Sequence, residues 1–476
     1  MGIQAVFFDM GGTIETYGYT RQFRIKATHG LQKILSTAGL DLHLSNEQLY
    51  EVVSDGLKRY HDFSLVNLDE YPSFIVWRDY VFNDFAVDLE ALERISEELM
   101  CYIETDYFYR DIRPEVPSVL ETIKQMGYKI GMISNVNSRG QVPTNLKKYG
   151  IIDYFDPIVL SSEYGRRKPD PAIFHYAARL ANVPTSKCLF VGDRVIRDVI
   201  GAQKAGYGMV VQIRHDYDHG EDDSGPAPDA VIDNMDQLVD ILKKDAASDT
   251  NSVVHDQQIK ALLFDAGDIL YFRPDKGRYF REFLTDNAIE EKDVSESTLL
   301  ELKKKAFTGA MTQDQKRKEI LKEYGVSDTL LIEKGCLAME QDDNFVDFFE
   351  GVRSTLISLK EMGYLLGIIT DTANPLYVKL QWFEKGGFGH VWDSIISSQE
   401  MGMQKPDPRL YEASLKQLGV EVDQAVFVGH CQAELEGARA VGLKTIGFNL
   451  DPGAWSDITI SHFDELLNLS LIKEYG

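Results

Sequence analysis

The feature of this 476-residue sequence that most limits its possible folds is an internal repeat. Four blocks occur twice in the same order, and the spacings between the last three agree within one residue. The first copies are Ile3–Asp9, Gly127–Asn135, Lys168–Pro171 and Cys188–Asp193, and the second copies are Ile259–Asp265, Gly363–Asp371, Lys405–Pro408 and Ala425–His430. The sequence therefore predicts two modules that share one core.

Three of the four blocks are short runs of valine, isoleucine, leucine and phenylalanine that end at a polar residue. Such runs, alternating with helical patterns, are typical of buried parallel strands in an α/β sheet. The sequence therefore predicts an α/β protein with two tandem Rossmann-like cores, each a doubly wound parallel sheet. The predicted modules are residues 1–243 and 259–476, joined by a polar linker at 244–258.

Helical periodicity separates the first block from the second in each copy. Apolar residues from Leu89 to Ile103 recur at three- and four-residue steps, and Asp88 precedes them as an N-cap candidate. Because this helical segment interrupts a βα pattern, it favours an insertion into the core. The sequence predicts a helical cap at about 16–112 and a smaller one at about 272–348.

Composition argues against several classes of partner. The chain has 50 basic and 75 acidic side chains, which gives a net charge of −25 at pH 7. A field of this sign opposes binding to nucleic acid or to an anionic membrane. There is no basic region before the N-terminal apolar run, no apolar stretch of about 20 residues and no CxxC pair. We expect a cytoplasmic protein without nucleic-acid or membrane partners, and the sequence leaves its oligomeric state open.

Polar residues stand at the predicted strand ends of the first copy. Because parallel strands gather their carboxyl ends at one edge of a sheet, Asp9, Ser134 and Asp193 are expected to meet there. Asp9 can attack phosphorus or carbon, and Asp9 with Asp193 offers the hard oxygens that Mg²⁺ prefers. Ser134 can bond a phosphoryl oxygen, and Lys168 supplies a positive charge beside Asp9. Asp198 is expected to orient Lys168 or metal-bound water.

This order of residues resembles the haloacid dehalogenase (HAD) superfamily, and the resemblance covers nearly the whole chain, twice. The family pattern is a strand-end Asp with Thr or Val four residues on, then Ser or Thr, then Lys, then GDxxxD or GDxxxxD. The resemblance implies catalytic roles for Asp9, Ser134 and Lys168. It implies a Mg²⁺ site of Asp9, the Gly11 carbonyl, Asp193 and Asp198, and substrate contacts from Gly12, Thr13, Ser134, Asn135 and Lys168. The helical insertions resemble the C1 caps of the family.

One departure affects the expected chemistry. HAD phosphatases usually carry a second Asp two residues after the nucleophile, as general acid and base, and here that residue is Gly11. The leading prediction is a Mg²⁺-dependent hydrolase, a phosphatase for a small phosphorylated metabolite.

Two alternatives stay open. The first is a non-catalytic module that binds a phosphorylated ligand or a protein partner. The second is a carbon–phosphorus or carbon–halogen hydrolase. The dehalogenases lack the acidic motif of Asp193 and Asp198, and the phosphonatases need a cap lysine, for which Lys26, Lys33 and Lys58 are the candidates.

The second copy departs further from the pattern. Asp265, Thr370 and Lys405 are retained, but His430 and Glu434 stand where the fourth block of the family has two Asp residues. Imidazole is a poor ligand for Mg²⁺ and adds no negative charge. We therefore expect the second copy to be inactive with Mg²⁺. A transition-metal site built from His430 and Asp265 stays open.

Overall fold

The computed structural model describes residues 2–214, 223–249, 259–290 and 294–472. The chain divides into two compact units, Met1–Val253 and Val254–Gly476, which we call the N-terminal and C-terminal modules. Of the predicted linker 244–258, residues 244–249 continue a helix and residues 250–258 lie outside the described residues. The exact module and linker boundaries stay predictions.

The N-terminal module is built on one six-stranded parallel sheet with the strand order β5-β4-β1-β6-β7-β8. Its strands, together with the antiparallel pair β2 and β3, are β1 (Ala5–Phe8), β2 (Glu15–Gly18), β3 (Tyr109–Ile112), β4 (Lys129–Ser134), β5 (Ile158–Leu160), β6 (Cys188–Gly192), β7 (Met209–Ile213) and β8 (Ala230–Ile232). Its helices are α1 (Arg21–Thr37), α2 (Asn46–Asn67), α3 (Ser73–Val76), α4 (Leu89–Asp106), α5 (Val116–Gln125), α6 (Gln141–Lys148), α7 (Ser161–Tyr164), α8 (Pro171–Ala181), α9 (Ile200–Lys204) and α10 (Asp236–Asp249).

The C-terminal module repeats this sheet, with the strand order β13-β12-β9-β14-β15-β16. Its strands, with the antiparallel pair β10 and β11, are β9 (Ala261–Phe264), β10 (Tyr271–Phe272), β11 (Asp347–Phe348), β12 (Leu365–Thr370), β13 (Ser394–Ser397), β14 (Ala425–Gly429), β15 (Lys444–Phe448) and β16 (Ile458–Ile460). Its helices are α11 (Arg278–Asp286), α12 (Glu296–Phe307), α13 (Gln313–Glu323), α14 (Thr329–Asn344), α15 (Val352–Glu361), α16 (Leu376–Lys385), α17 (Ser398–Met401), α18 (Pro408–Leu418) and α19 (Gln432–Ala440). The prediction of two tandem Rossmann-like cores is confirmed.

Strand β1 shows why the sheet is covered on both faces. Alternate side chains of a strand point to opposite faces, and here both sets are apolar. Val6 and Phe8 pack in the core on one side, while Ala5 and Phe7 pack on the other. Complete burial of such side chains contributes about 1.5–3 kcal/mol for each large one, so a strand that is apolar throughout is stable only at the centre of a layered fold. This central position places the residue after Phe8 at the sheet edge where the site forms.

A helical insert leaves and re-enters each core through two antiparallel strands. In the N-terminal module these strands are β2 and β3, and the insert between them contains α1, α2, α3 and α4. Asp88 caps α4 by accepting from the backbone N–H groups of Glu90 and Ala91. In the C-terminal module β10 and β11 flank α11 to α14. That the inserts close over a substrate as caps stays a prediction.

The crossing between core and insert in the N-terminal module is held by a buried carboxylate. Glu15 on β2 has no exposed surface and forms an ion pair with Arg110 on β3. It also accepts from the Asn145 amide at 3.1 Å and from the Tyr149 hydroxyl at 2.8 Å. The crossing strands are therefore fastened to α6 and to the residue that follows it.

No helix in the described ranges is long and apolar enough to cross a membrane.

Candidate active site

The polar residues predicted at the strand ends meet at one edge of the N-terminal sheet. Asp9 follows β1, Ser134 ends β4 and Asp193 follows β6, and these three strands are neighbours in the sheet. A cavity of about 300 Å³ opens at this edge. The predicted site residues that line it are Asp9, Gly11, Ser134, Asn135 and Lys168.

Three carboxylates come together at this edge. Asp9, Asp193 and Asp198 each offer an oxygen within 4.8 Å of the others. Mg²⁺ holds oxygen ligands at about 2.0–2.1 Å, so two ligands of one ion lie at most about 4.2 Å apart. The trio therefore needs only a small contraction to share one ion. A set of hard, anionic oxygen donors fits Mg²⁺ in chemistry as well as in spacing.

Lys168 lies between two of these carboxylates. Its Nζ is 2.8 Å from Asp9 Oδ1 and 2.6 Å from Asp198 Oδ1, and the residue is only 3% exposed. Burial alone would lower the pKa of Lys168, but Asp198 and Asp9 outweigh it and raise that pKa above its ordinary value. The lysine therefore stays protonated as a fixed positive charge beside Asp9.

The acidic cluster depends on close backbone packing around Asp193 and Asp198. Gly12 has a φ of +79°, and a Cβ on it would lie 2.4 Å from Asp193 Oδ2. The backbone N–H of Arg194 donates to Asp198 Oδ2 at 3.0 Å, which fixes the carboxylate that faces Lys168. Burial raises the pKa of Asp198, and Lys168 opposes that rise. Gly12 thus allows the close approach of the first and fourth sequence blocks.

Asn135, Gly12 and Thr13 are predicted to contact the substrate, and the structure shows what surrounds each of them. The Asn135 side chain accepts from the Lys168 backbone N–H at 2.8 Å and donates to the Lys168 carbonyl at 3.0 Å. It therefore positions the lysine loop as well as lining the cavity. Thr13 is completely buried, and neither Thr13 nor Gly12 is among the residues that line the cavity. Their predicted substrate contacts stay untested predictions.

Arg197 is a cavity residue that sequence reasoning missed. It lies on the π-helical turn Val195–Val199 after β6 and lines the cavity with Asp9 and Lys168. Burial lowers its pKa, but Asp193, Asp198 and Asp9 outweigh burial and raise it. In the described part of the chain its guanidinium forms no hydrogen bond or ion pair. A signal was present in the sequence, because an arginine directly precedes the second Asp of the fourth block.

The insert also contributes to the cavity. Tyr17 and Tyr19 line it, whereas Trp77 is fully buried within the insert and donates its indole N–H to the Ser96 carbonyl. Glu104 lines the cavity too, and sequence reasoning missed it. Its carboxylate accepts from the backbone N–H groups of residues 137 and 138, at 2.8 Å each. This contact joins α4 of the insert to the loop after β4.

The position of the missing acid is open to the cavity. Gly11 lines it, and a Cβ on Gly11 would lie 3.3 Å from the ring of Tyr17. Among the described residues that line this cavity, Lys168 is the one lysine. The three lysines considered for a phosphonatase-like reaction do not line it; they are Lys26, Lys33 and Lys58.

The corresponding site of the C-terminal module has a different charge arrangement. Lys405 Nζ lies 2.5 Å from Asp265 Oδ1 and 2.9 Å from Glu434 Oε2. His430 stands where Asp193 stands in the first module, with Nε2 3.6 Å from Asp265 Oδ2 and Nδ1 3.0 Å from Asp451 Oδ1. Thr370 accepts a hydrogen bond from Lys379 at 3.0 Å.

Comparison with known proteins gives matches to both modules. A family model described as haloacid dehalogenase-like hydrolase matches residues 3–206, and a second with that description matches residues 289–448. A glyceraldehyde 3-phosphate phosphatase of Methanopyrus kandleri is 28% identical over 246 residues, which cover 51% of this chain and 98% of the relative. A phosphoglycolate phosphatase of Nitrosococcus oceani is 32% identical over 133 residues, which cover 28% of this chain and 58% of the relative.

One solved structure is also similar to this chain over half of its length. The crystal structure of a HAD phosphatase from Thermococcus onnurineus covers 50% of this chain and 98% of its own, with 23% identity and a TM-score of 0.34. The two family matches fall one in each module, and the two parallel sheets have the same strand order. The chain therefore belongs to the haloacid dehalogenase-like hydrolases, with two modules of that family in tandem.

Proposed function

We propose that the N-terminal module is a Mg²⁺-dependent phosphatase that hydrolyses a small phosphorylated metabolite through an aspartyl-phosphate on Asp9. The observation that carries the proposal is the meeting of Asp9, Asp193 and Asp198 beside the buried Lys168. The two phosphatase relatives support this class of reaction. Asp9, Asp193, Asp198 and the Gly11 carbonyl would hold the ion.

The proposed reaction has two displacements at phosphorus. A carboxylate oxygen of Asp9 attacks the phosphorus atom while the bond to the ester oxygen breaks. A water molecule protonates the leaving oxygen, and the resulting hydroxide attacks the aspartyl-phosphate, which releases inorganic phosphate and restores Asp9. Ser134 and Lys168 line the cavity with Asp9 and hold the phosphoryl oxygens as negative charge moves. When bound, Mg²⁺ neutralises part of the phosphate charge.

The C-terminal module is catalytically silent in this proposal. Asp265 retains a lysine partner, but His430 replaces a carboxylate with a group that Mg²⁺ binds poorly. Within the described residues, the acidic trio of the N-terminal module is the one group of three ligand-bearing side chains at metal spacing. The distribution of donors therefore supports one catalytic module and one altered copy.

A module that binds phosphorylated ligands without turnover is the second candidate. The observation that favours it is Gly11, which leaves the cavity without the carboxylate that would protonate the leaving group. Thermal stabilisation by Mg²⁺ with beryllium fluoride, in a protein that releases no phosphate from any ester, would select this candidate.

Phosphate release by the full chain tests the proposal. A panel of phosphate esters is assayed with Mg²⁺ and with EDTA, for the wild type and for Asp9→Asn. We expect turnover that requires Mg²⁺ and is lost in Asp9→Asn, because an amide is a poor nucleophile and a poor metal ligand. The matched control is Asp265→Asn, the same change in the other module, which should leave turnover unchanged. Turnover that survives Asp9→Asn would overturn the proposed mechanism.

A further inference from the structure

The C-terminal module contains a second cavity that is larger than the first and is lined by more cationic side chains. Its volume is about 590 Å³, compared with about 300 Å³ in the N-terminal module. Six cationic and six acidic side chains line it; the cationic ones are Arg273, Lys276, Lys303, Lys304, Lys316 and Lys379. Three cationic side chains line the N-terminal cavity, and they are Arg110, Lys168 and Arg197.

The acidic residues of this cavity have partners in the core or beside it. Asp265 and Glu434 share Lys405, Asp371 accepts from the Lys405 backbone N–H at 3.1 Å, and Asp451 lies 3.0 Å from His430 Nδ1. In the insert, Asp343 is 2.6 Å from Arg317 and accepts from the Gln313 amide at 2.8 Å. Asp268 lies 3.7 Å from Lys276. Four of the six acidic side chains in the lining therefore pair with a cation other than Lys303, Lys304 or Lys316.

Three lysines of the insert line the cavity without an acidic partner among the described residues. Lys303 and Lys304 on α12 and Lys316 on α13 line the cavity, and within the described ranges none of them forms an ion pair with a carboxylate. Leu300, Lys303, Lys304 and Phe307 follow the three- and four-residue steps of one helix face, so the α12 lysines face the cavity together.

The cations lie close enough to repel one another. Burial lowers the pKa of Lys316, and the neighbouring charges of Arg317, Lys303 and Arg273 lower it further, against the opposing effect of Asp343. Like charges at such a site store repulsion that an anion between them would remove. The lysine wall is thus suited to an anionic ligand.

The floor of the cavity, formed by the core, holds a buried ammonium group beside the carboxylates of Asp265, Asp371 and Glu434. Lys379 is only 4% exposed, and its Nζ donates to the Thr370 hydroxyl at 3.0 Å and to the Tyr271 hydroxyl at 2.6 Å. His430 takes the place of a metal-binding carboxylate. An anion that reached this floor would meet an ammonium group directly, so a bridging divalent ion is unnecessary.

We propose that the C-terminal cavity is a metal-independent binding site for a small, multiply charged anion with phosphate or carboxylate groups. Lys303, Lys304 and Lys316 of the insert hold one end of the anion, and Lys379 of the core holds the other. A cavity of about 590 Å³, within a chain of strong negative net charge, favours a small molecule over a nucleic acid or a membrane surface. The proposal is independent of turnover in the N-terminal module.

Calorimetric titration of the full chain with pyrophosphate in EDTA tests the proposal, and citrate in a parallel titration distinguishes carboxylate from phosphate groups. We expect binding that weakens about tenfold to hundredfold in the double variant Lys303→Ala/Lys304→Ala, as expected for loss of charge-assisted contacts. Both lysines are exposed, so the variant should fold, and its circular dichroism spectrum verifies this. The charge-retaining pair Lys303→Arg/Lys304→Arg should bind almost as well as the wild type.

The matched control is Lys318→Ala/Lys322→Ala on α13. These exposed lysines pair with Asp314 and Glu319 and do not line the cavity, so pyrophosphate binding should be unchanged. The proposal is overturned if neither anion binds in EDTA. It is also overturned if Lys303→Ala/Lys304→Ala binds them as tightly as the wild type, which would assign binding to another site.

Discussion

Removal of Lys168 should destabilise the N-terminal module strongly. The Lys168 ammonium is buried at 2.8 Å from Asp9 and 2.6 Å from Asp198, and Asp193 completes a cluster with all three oxygens within 4.8 Å. Lys168→Met leaves these carboxylates without their shared cation. Breaking a buried ion pair from one side costs about 3–5 kcal/mol. At about 2–4 °C for each kcal/mol in a module of this size, the melting temperature should fall by about 6–20 °C.

Mg²⁺ should distinguish this variant from its counterpart in the other module. Lys405→Met removes a lysine that forms two similar ion pairs, to Asp265 and Glu434. We therefore expect the C-terminal module to lose a comparable amount of stability. Mg²⁺ can replace the lost charge only where three carboxylates meet. At a hundredfold excess over its Kd, a ligand of the folded state contributes about 2.7 kcal/mol, so Mg²⁺ should restore much of the loss in Lys168→Met alone.

Scanning calorimetry of the full chain with Mg²⁺ or EDTA measures both effects. The transition that shifts in Lys168→Met belongs to the N-terminal module, and the one that shifts in Lys405→Met belongs to the C-terminal module. The reasoning is refuted if Lys168→Met melts like the wild type in EDTA. It is equally refuted if Mg²⁺ stabilises Lys405→Met as much as Lys168→Met.

Two further predictions concern Gly11 and His175. Gly11→Asp should raise the kcat for alkyl phosphates by about 10²–10⁴, because it supplies a general acid. The gain should be smaller for p-nitrophenyl phosphate, whose leaving group needs no proton. Gly11→Asn should give no gain with either substrate. Equal rates in steady-state phosphate release for Gly11→Asp and Gly11→Asn would contradict this. His175 is 2% exposed, and burial lowers its pKa from 6.5 to about 3. The folded state therefore favours the neutral imidazole, and its contribution to the free energy of unfolding is complete above pH 6.5 and is lost as the pH falls towards 3. Urea unfolding should therefore show a smaller loss of stability on acidification for His175→Phe than for the wild type, and identical pH slopes would count against this.

The repeated core could be predicted because its signals are local. Strands such as β1 and β9 are apolar throughout, and each ends at the residue that enters the site, so the strand order fixes where Asp9 and Asp265 lie. The meeting of Asp9 with Asp193 follows from the same rule. These expectations depend on main-chain positions, which the sequence pattern determines well.

Side-chain direction and insert packing could not be predicted in this way. Arg197 lies on the π-helical turn after β6 and lines the cavity; the sequence shows an arginine beside the second Asp of the fourth block but not the direction of its side chain. Glu104 reaches the core loop because of how α4 packs against it, and helical periodicity gives the buried face of a helix but not its partner.

The buried Glu15 restricts how the insert can move over the core. Because Glu15 fastens β2 to Arg110 on β3 and both strands to α6, the two chain crossings cannot slide independently. Just beyond the strands, the rings of Tyr19 and Phe108 pack edge to face 5.6 Å apart. Both rings also line the cavity. The predicted closure of the insert would therefore bend the chain beside two aromatic side chains that line the cavity.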